Sequence, residues 1–406
     1  MNLPRELRRV LFALLPSWIG WSASQALIGW LVFAATGSPA LVGLAFALRL
    51  APLAVAGVPI GALSDRLGRT RLLKGSNLLA AAISFCVAAL SLLHVAPLPV
   101  LFAAAAIFGL ADASRMVAGN NLAYDLAGDF GPTRAMAASN FVSGTGAALG
   151  GAVAGVALSV AGPPVTAAVV GLAYATSALL LFWVSDLTFV RPKAALSFGA
   201  AVGAGITMLR RVPTVGLLIG VALAVELLAF SCVALDPVFA GKVFLAGPAG
   251  LGAIVAARAI GRLTGSGILA LAPHRRSLGR ALAVAVLGFG LALIAYALSP
   301  RLLIAAPIVL GAGIASVVVD ALILTALQAA VEADSRGRVA GLWVVIVGLQ
   351  PIGVLEVGLV AQVAGARFAQ VLNGLIVAVF GLVLLGTALG RRIRDIDTIG
   401  VLAEGP

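Results

Sequence analysis

The stretch Gly61-Ala62-Leu63-Ser64-Asp65-Arg66-Leu67-Gly68-Arg69-Thr70-Arg71 is a short, strongly basic turn set between two long apolar segments. Each flank runs for roughly 20 residues, enough to cross a ~30 Å hydrocarbon layer as a helix. Lipid offers no partner to backbone N–H and C=O groups, so a spanning segment must be a helix or part of a closed barrel. Barrel strands alternate apolar and polar positions, whereas these flanks are apolar all round. A charged turn between two membrane-spanning helices is the unit from which the fold is built.

The pattern repeats along the whole chain. Its 406 residues are 62% hydrophobic and only 10% charged, with a mean hydropathy of +1.14, whereas soluble domains carry about 25% charged residues. Spans are expected at 10–33, 40–62, 72–93, 98–122, 134–160, 164–186, 213–240, 248–272, 278–298, 301–328, 338–363 and 367–390. Short turns separate them, among them Gly37-Ser38-Pro39, Gly162-Pro163-Pro164 and Ser299-Pro300.

The net charge of +12 raises nucleic acid as a partner, and its distribution argues against one. Counting twelve spans from a cytoplasmic N-terminus, 20 of the 27 basic residues fall on one side. Lys242, Arg301 and Arg367 fall on the other, and Arg49, Arg115, Arg258 and Arg262 lie inside spans. This is the positive-inside bias, which places both termini in the cytoplasm. Cys86 and Cys232 sit in apolar spans and imply no disulfide framework. The basic N-terminus and the long apolar run after it read as an uncleaved first helix.

Enzymatic chemistry finds no support. No G-x-x-x-x-G-K-[ST] loop is present to hold ATP phosphates. His94 and His274 are far apart in loops, and no His, Cys and carboxylate cluster has metal-ligand spacing. No cofactor and no metal are expected.

The basic turn resembles the G-x-x-x-D-R/K-x-G-R/K-R/K motif between spans 2 and 3 of the major facilitator superfamily. Gly61, Asp65, Arg66, Gly68 and Arg69 match; Thr70 departs, and Arg71 supplies its charge one place later. The resemblance implies an all-α membrane fold of twelve helices in two pseudo-symmetric six-helix bundles. It also implies that this cluster latches the cytoplasmic side in the outward-open state. Gly68 permits the tight turn, Asp65 can face the positive end of a neighbouring helix, and Arg69 has Asp125 and Asp129 within reach as partners. The equivalent loop of the second half, Gly267 to Arg276, lacks the aspartate.

Further stretches extend the resemblance. Gly144-Thr145-Gly146-Ala147-Ala148-Leu149-Gly150-Gly151 is similar to the G-P-x-x-G-G motif of drug–proton antiporters, with Ala147 in place of the proline. The same spacing also serves close helix packing. Ser335-Arg336-Gly337-Arg338 leading to Gly348-Leu349-Gln350-Pro351 and Arg210-Arg211-Val212-Pro213 resemble the branch that holds siderophore exporters and macrolide-type efflux pumps. One offset aligns Arg134 with Arg338 and Gly144 with Gly348, and Arg49 and Arg258 occupy comparable depths in spans 2 and 8; this is a weak internal repeat, the construction that sets a site at the repeat interface. Residues 1–190 are read as the N-terminal bundle and 213–406 as the C-terminal bundle. Between them, 191–212 is a cytoplasmic linker whose Leu196, Phe198, Ile206 and Leu209 fit an interfacial helix.

Charges within spans cost a few kcal/mol each even on the mild insertion scale, so each is a functional candidate. Glu226, near mid-depth in span 7, is the first candidate for proton or cation coupling. A carboxyl in an apolar cavity favours its neutral form and can exchange a proton near neutral pH; the alternative is a structural acid bonded to a neighbouring helix. Asp112 and Arg115, three apart on span 4, can pair as a switch or as a structural pair, and Asp112 joins Asp320 as a further coupling candidate. Asp320 and Glu356 can also partner Arg49, Arg258 or Arg262, while Asp236 before Pro237 caps or gates the outer end of span 7. Trp18, Trp21 and Gln25 share one face of span 1, as a cavity wall or a lipid-facing surface would.

The expected function is a secondary active transporter exporting small amphipathic molecules by alternating access, coupled to inward proton flow. Its partners are a small-molecule substrate, protons or another cation, and the lipid bilayer, and a monomer in a bacterial inner membrane is expected. One alternative is an importer or facilitator of a small anionic nutrient, which predicts paired arginines among Arg49, Arg115 and Arg258. Others are a lysophospholipid flippase and a non-transporting sensor.

Overall fold

The computed structural model describes residues 3–184, 213–271, 278–331, 343 and 345–386. The interfacial helix expected at 195–211 and the Ser335 to Arg338 approach to span 11 lie outside the described residues. So does the side chain of Asp65.

Every regular element among the described residues is helical. Helix α1 runs over Arg5–Thr36, α2 over Pro39–Leu67, α3 over Arg69–Leu92, α4 over Leu98–Asp125, α5 over Pro132–Val160 and α6 over Gly162–Leu181. The seventh apolar segment is a composite, α7: α-helical over Pro213–Ala224, π-helical over Val225–Ala229, 3₁₀ over Phe230–Leu235, α-helical over Asp236–Val238 and π-helical over Phe239–Val243. Then follow α8 (Gly247–Leu271), α9 (Leu278–Leu298), α10 (Leu302–Ala329), α11 (Gln350–Ala364) and α12 (Ala366–Gly386). Eleven of the helical segments are long and apolar enough to cross a membrane. The other, α8, matches them in length but carries Arg258 and Arg262.

Several helices overrun the expected spans because capping, rather than the hydrocarbon boundary, ends a helix. α1 continues to Thr36 and stops where Gly37 turns left-handed at φ 61°. Ser38 then caps α2 by accepting from the Leu41 N–H at 3.3 Å. Between α2 and α3 the turn is one residue, Gly68, at φ 89°. A side chain there would be strained.

Solvent and core are inverted relative to a soluble protein. Leu303, Val363 and Val160 are more than four-fifths exposed, whereas Arg49, Arg115, Glu226 and Asp236 are at most 5% exposed. Apolar surface on this scale has lipid as its solvent, and the buried charges face the interior.

The described residues pack as two compact units. The first holds α1 to α6 together with residues 234–260; the second holds 213–233 and the remainder from 261. In the first, α1 lies against α5 and α6, α3 against α4 and α6, and α2 against α4. The start of α8 joins this unit through small residues. A methyl group added at Gly155 would meet the Gly252 backbone at 2.6 Å, and one at Gly151 would meet Val255 at 2.6 Å. Small residues at this spacing let two helices touch backbone to backbone. The neighbouring Gly146 sits instead against Trp18 of α1. In the second unit, α9 packs on α10 and α12, and α11 on α12.

α7 was expected as a plain helix. It departs from one because side chains take over its carbonyls: Ser231 Oγ donates to Glu226 O at 3.4 Å, Cys232 Sγ to Leu228 O at 3.1 Å, and Asn373 Nδ2 to Leu228 O at 3.3 Å. π-turns inserted in helices concentrate at functional sites. The break falls where the two units divide, between residues 233 and 234.

Candidate functional site

Two polar clusters stand inside the apolar helices, one in each unit. In the first unit, α2 and α4 meet so closely at Gly109 that an added methyl would overlap the Arg49 carbonyl oxygen. That approach brings Arg49 onto Asp112. Arg49 Nε donates to Asp112 Oδ2 at 2.8 Å, and Arg115 Nη2 donates to Asp112 Oδ1 at 2.7 Å. Two guanidiniums thus share one carboxylate. Arg49 Nη2 also donates to Trp21 O at 3.2 Å and to Ser24 Oγ at 3.0 Å. Ser24 in turn donates to Trp21 O at 2.9 Å, leaving its oxygen to accept from Tyr174 at 3.4 Å.

Aromatic rings enclose the cluster. The Arg115 guanidinium lies 4.6 Å from the Trp18 ring centre and that of Arg49 5.3 Å from the Phe108 ring centre. Phe108 and Tyr174 stack at 6.0 Å, and Trp18 and Trp21 meet edge-on at 5.6 Å. A cation over a ring face gains about 0.5–2 kcal/mol, most where water is excluded. Trp18, Trp21 and Gln25 are all half-buried, as one face of α1 shared by all three requires.

Arg258 belongs to the first unit as well. Its Nη2 donates to both Asp236 oxygens, at 2.6 and 2.8 Å. Its partner is Asp236, not Asp320 or Glu356, and Arg49 is likewise held by Asp112. Packing distributes the charges differently from sequence proximity: Arg49 and Asp112 are 63 positions apart.

The second unit holds Glu226, on the π-turn of α7. Gln350 Nε2 of α11 donates to Glu226 Oε2 at 2.9 Å. Asp320 of α10 and Arg262 of α8 interact electrostatically with the Glu226 carboxyl, and Arg262 with Asp320. Arg262 Nη1 donates to Ser316 Oγ at 3.2 Å, one helical turn before Asp320. Arg262 is exposed, and a charge at that depth is stable only where it meets water or protein. Asp320 Oδ1 is buried with no hydrogen-bond donor among the described residues. Glu356 stands apart from this group, accepting from Asn373 Nδ2 at 3.2 Å.

At the end of the basic turn, Arg69 is buried. It pairs with Asp125 and donates from Nη1 to Asn121 O at 2.8 Å, tying the start of α3 to the end of α4. Arg66 is exposed. Sequence reasoning left the Arg49–Asp112 bond, the Gln350–Glu226 bond and the aromatic pair Phe108–Tyr174 unassigned. A glycine at position 109, one turn before Asp112, is the signal that could have located the first.

Comparison with known proteins agrees with this architecture. The sequence model of the Major Facilitator Superfamily matches residues 10–352. No curated protein matches this chain in sequence. Among solved structures, the nucleoside transporter NupG superposes with TM-score 0.73 at 13% identity, covering 96% of this chain and 100% of its own. A bacterial homologue of the human lysosomal transporter Spinster, inward-facing and occupied, superposes with TM-score 0.71 at 16% identity, over 97% of this chain and 99% of its own. The same homologue in its unoccupied form gives 0.67 at 16% identity, over 98% and 99%. At these identities the likeness is one of fold.

Proposed function

Because the chain belongs to the major facilitator superfamily of membrane transporters, we propose that it exports small amphipathic molecules in exchange for protons. It works by alternating access in a bacterial inner membrane with both termini cytoplasmic. The observation that carries this reading is the cluster of Asp320, Arg262 and Gln350 around the buried Glu226 carboxyl at the broken segment of α7. Two carboxyls and one guanidinium leave one negative charge unbalanced when all are ionised, and one bound proton removes it. Buried ionisable residues inside spans are the usual proton relays of transporters.

The chain's own residues supply each step. Gln350 holds one Glu226 oxygen, and the other is left for a proton. Protonation removes the repulsion between Glu226 and Asp320 and leaves Arg262 to Asp320 alone. Because Glu226 sits on a π-turn whose carbonyls are already bonded to side chains, a change in its charge acts where the helix is least regular. The Arg69–Asp125 pair serves the cytoplasmic latch. A proton drives export only if proton and substrate prefer different states, so the two compete through these helices.

The arginine pair on Asp112 favours a second reading, an importer or facilitator of a small anion. Direction separates the two. In proteoliposomes carrying wild-type protein, an imposed pH gradient drives uphill accumulation of substrate against the proton flow in an exchanger. A facilitator only equilibrates it.

A further inference from the structure

We infer that the Arg49–Asp112–Arg115 cluster is the binding site for the anionic group of the substrate, so that the cargo is an organic anion, a carboxylate or phosphate on a flat apolar body. This rests on the transporter reading above and names its substrate class.

Two buried guanidiniums meet one carboxylate, leaving an excess of one positive charge inside apolar helices. The other facing groups are Ser24, the Trp21 carbonyl and Tyr174, all neutral. A buried charge is stable only when paired. The shared Asp112 satisfies one arginine fully in charge and leaves the second short of a counter-ion.

Hydrogen-bond capacity gives the same answer. Arg49 Nη1 and Arg115 Nε and Nη1 make no well-formed hydrogen bond among the described residues, and the Tyr174 hydroxyl beside Arg115 brings no counter-charge. Guanidinium donors match carboxylate and phosphate oxygens better than any other common ligand group. An incoming anion completes the count: two cations, Asp112 and one ligand charge.

The walls select the rest of the molecule. Trp18 covers the Arg115 guanidinium on the half-buried side, with Trp21 edge-on to it, so moving the Trp18 ring opens the donors to a ligand arriving there. The Asp112 side chain keeps 17% of its surface exposed. A planar apolar body stacks on the indoles while its anionic end replaces the ring over Arg115. A cationic amphiphile meets its own sign in the excess positive charge and is rejected.

The test is equilibrium binding to the full-length protein in nanodiscs of three probes that share one ring system: 2-naphthoate, 2-naphthamide and 2-naphthylmethylammonium. The carboxylate is expected to bind at least about ten-fold tighter than either of the others, since a charge-assisted bond replaces a neutral one. Arg115→Gln and Arg49→Gln lose that preference, whereas Arg115→Lys keeps most of it, which separates charge from folding. Asp112→Asn removes the resident competitor and strengthens carboxylate binding. Equal binding of the three probes by wild type, or preference for the ammonium, overturns the inference. Proton flux in the same preparations keeps the two proposals apart. Glu226-dependent proton movement with the ammonium probe overturns the anion site and spares exchange, while arginine-dependent carboxylate binding without proton movement supports the anion site and sinks exchange.

Discussion

Gln350 Nε2 donates to Glu226 Oε2 at 2.9 Å, across from α11 to the π-turn of α7. An amide donor serves either protonation state of the acid, so the contact orients the carboxyl without committing its charge. Gln350→Ala removes a bond worth about 1 kcal/mol. Proton-coupled flux is expected to fall severalfold while the protein still binds substrate, measured by flux and equilibrium binding on the same sample.

Gly109 sets the distance between α2 and α4 at the arginine cluster. Gly109→Ala pushes a methyl into the Arg49 carbonyl, and overpacking of this kind costs about 1–3 kcal/mol. Gly75 of α3 has nothing within 4 Å of an added methyl, and alanine there gains up to about 1 kcal/mol of helix propensity. Thermal unfolding in detergent should therefore fall for the first and hold or rise for the second.

The Arg69 and Asp125 side chains are 8% and 20% exposed, so their ion pair is shielded enough to couple measurably. A double-mutant cycle with Arg69→Gln and Asp125→Asn is expected to return an interaction of about 1 kcal/mol or more. Independent effects would assign the turn to anchoring alone.

Gly155 and Gly252 pack backbone to backbone where α5 ends and α8 begins. In the proposed orientation this is the outer end of the first unit, and alternating access requires it to part. Gly252→Leu wedges the contact. Transport should be lost with the outer end held accessible to a membrane-impermeant thiol reagent, read at a cysteine placed at the half-buried Ala148 of α5 in a background lacking the exposed Cys86.

Much of the fold is legible in the sequence because lipid imposes a simple rule. Every backbone group must be satisfied within its own helix, so the continuous apolar runs and the Gly and Pro turns between them report the spans directly. The break in α7 is not legible, since no Gly or Pro lies between Gly220 and Pro237. It arises from side-chain donors, two of them within α7 at Ser231 and Cys232 and one, Asn373, from 145 positions away. Individual site residues stand out, because a charge such as Glu226 or Arg115 is conspicuous in an apolar run. Their pairing does not: Arg49 meets Asp112, and Arg258 meets Asp236, only through the packing of whole helices.

The most direct test of proton exchange compares two assays of Glu226→Gln in proteoliposomes. Glutamine keeps the shape and the Gln350 contact but cannot take or release a proton. Substrate accumulation driven by a pH gradient is expected to be lost while substrate-for-substrate counterflow continues. Accumulation at the wild-type level in Glu226→Gln would contradict it.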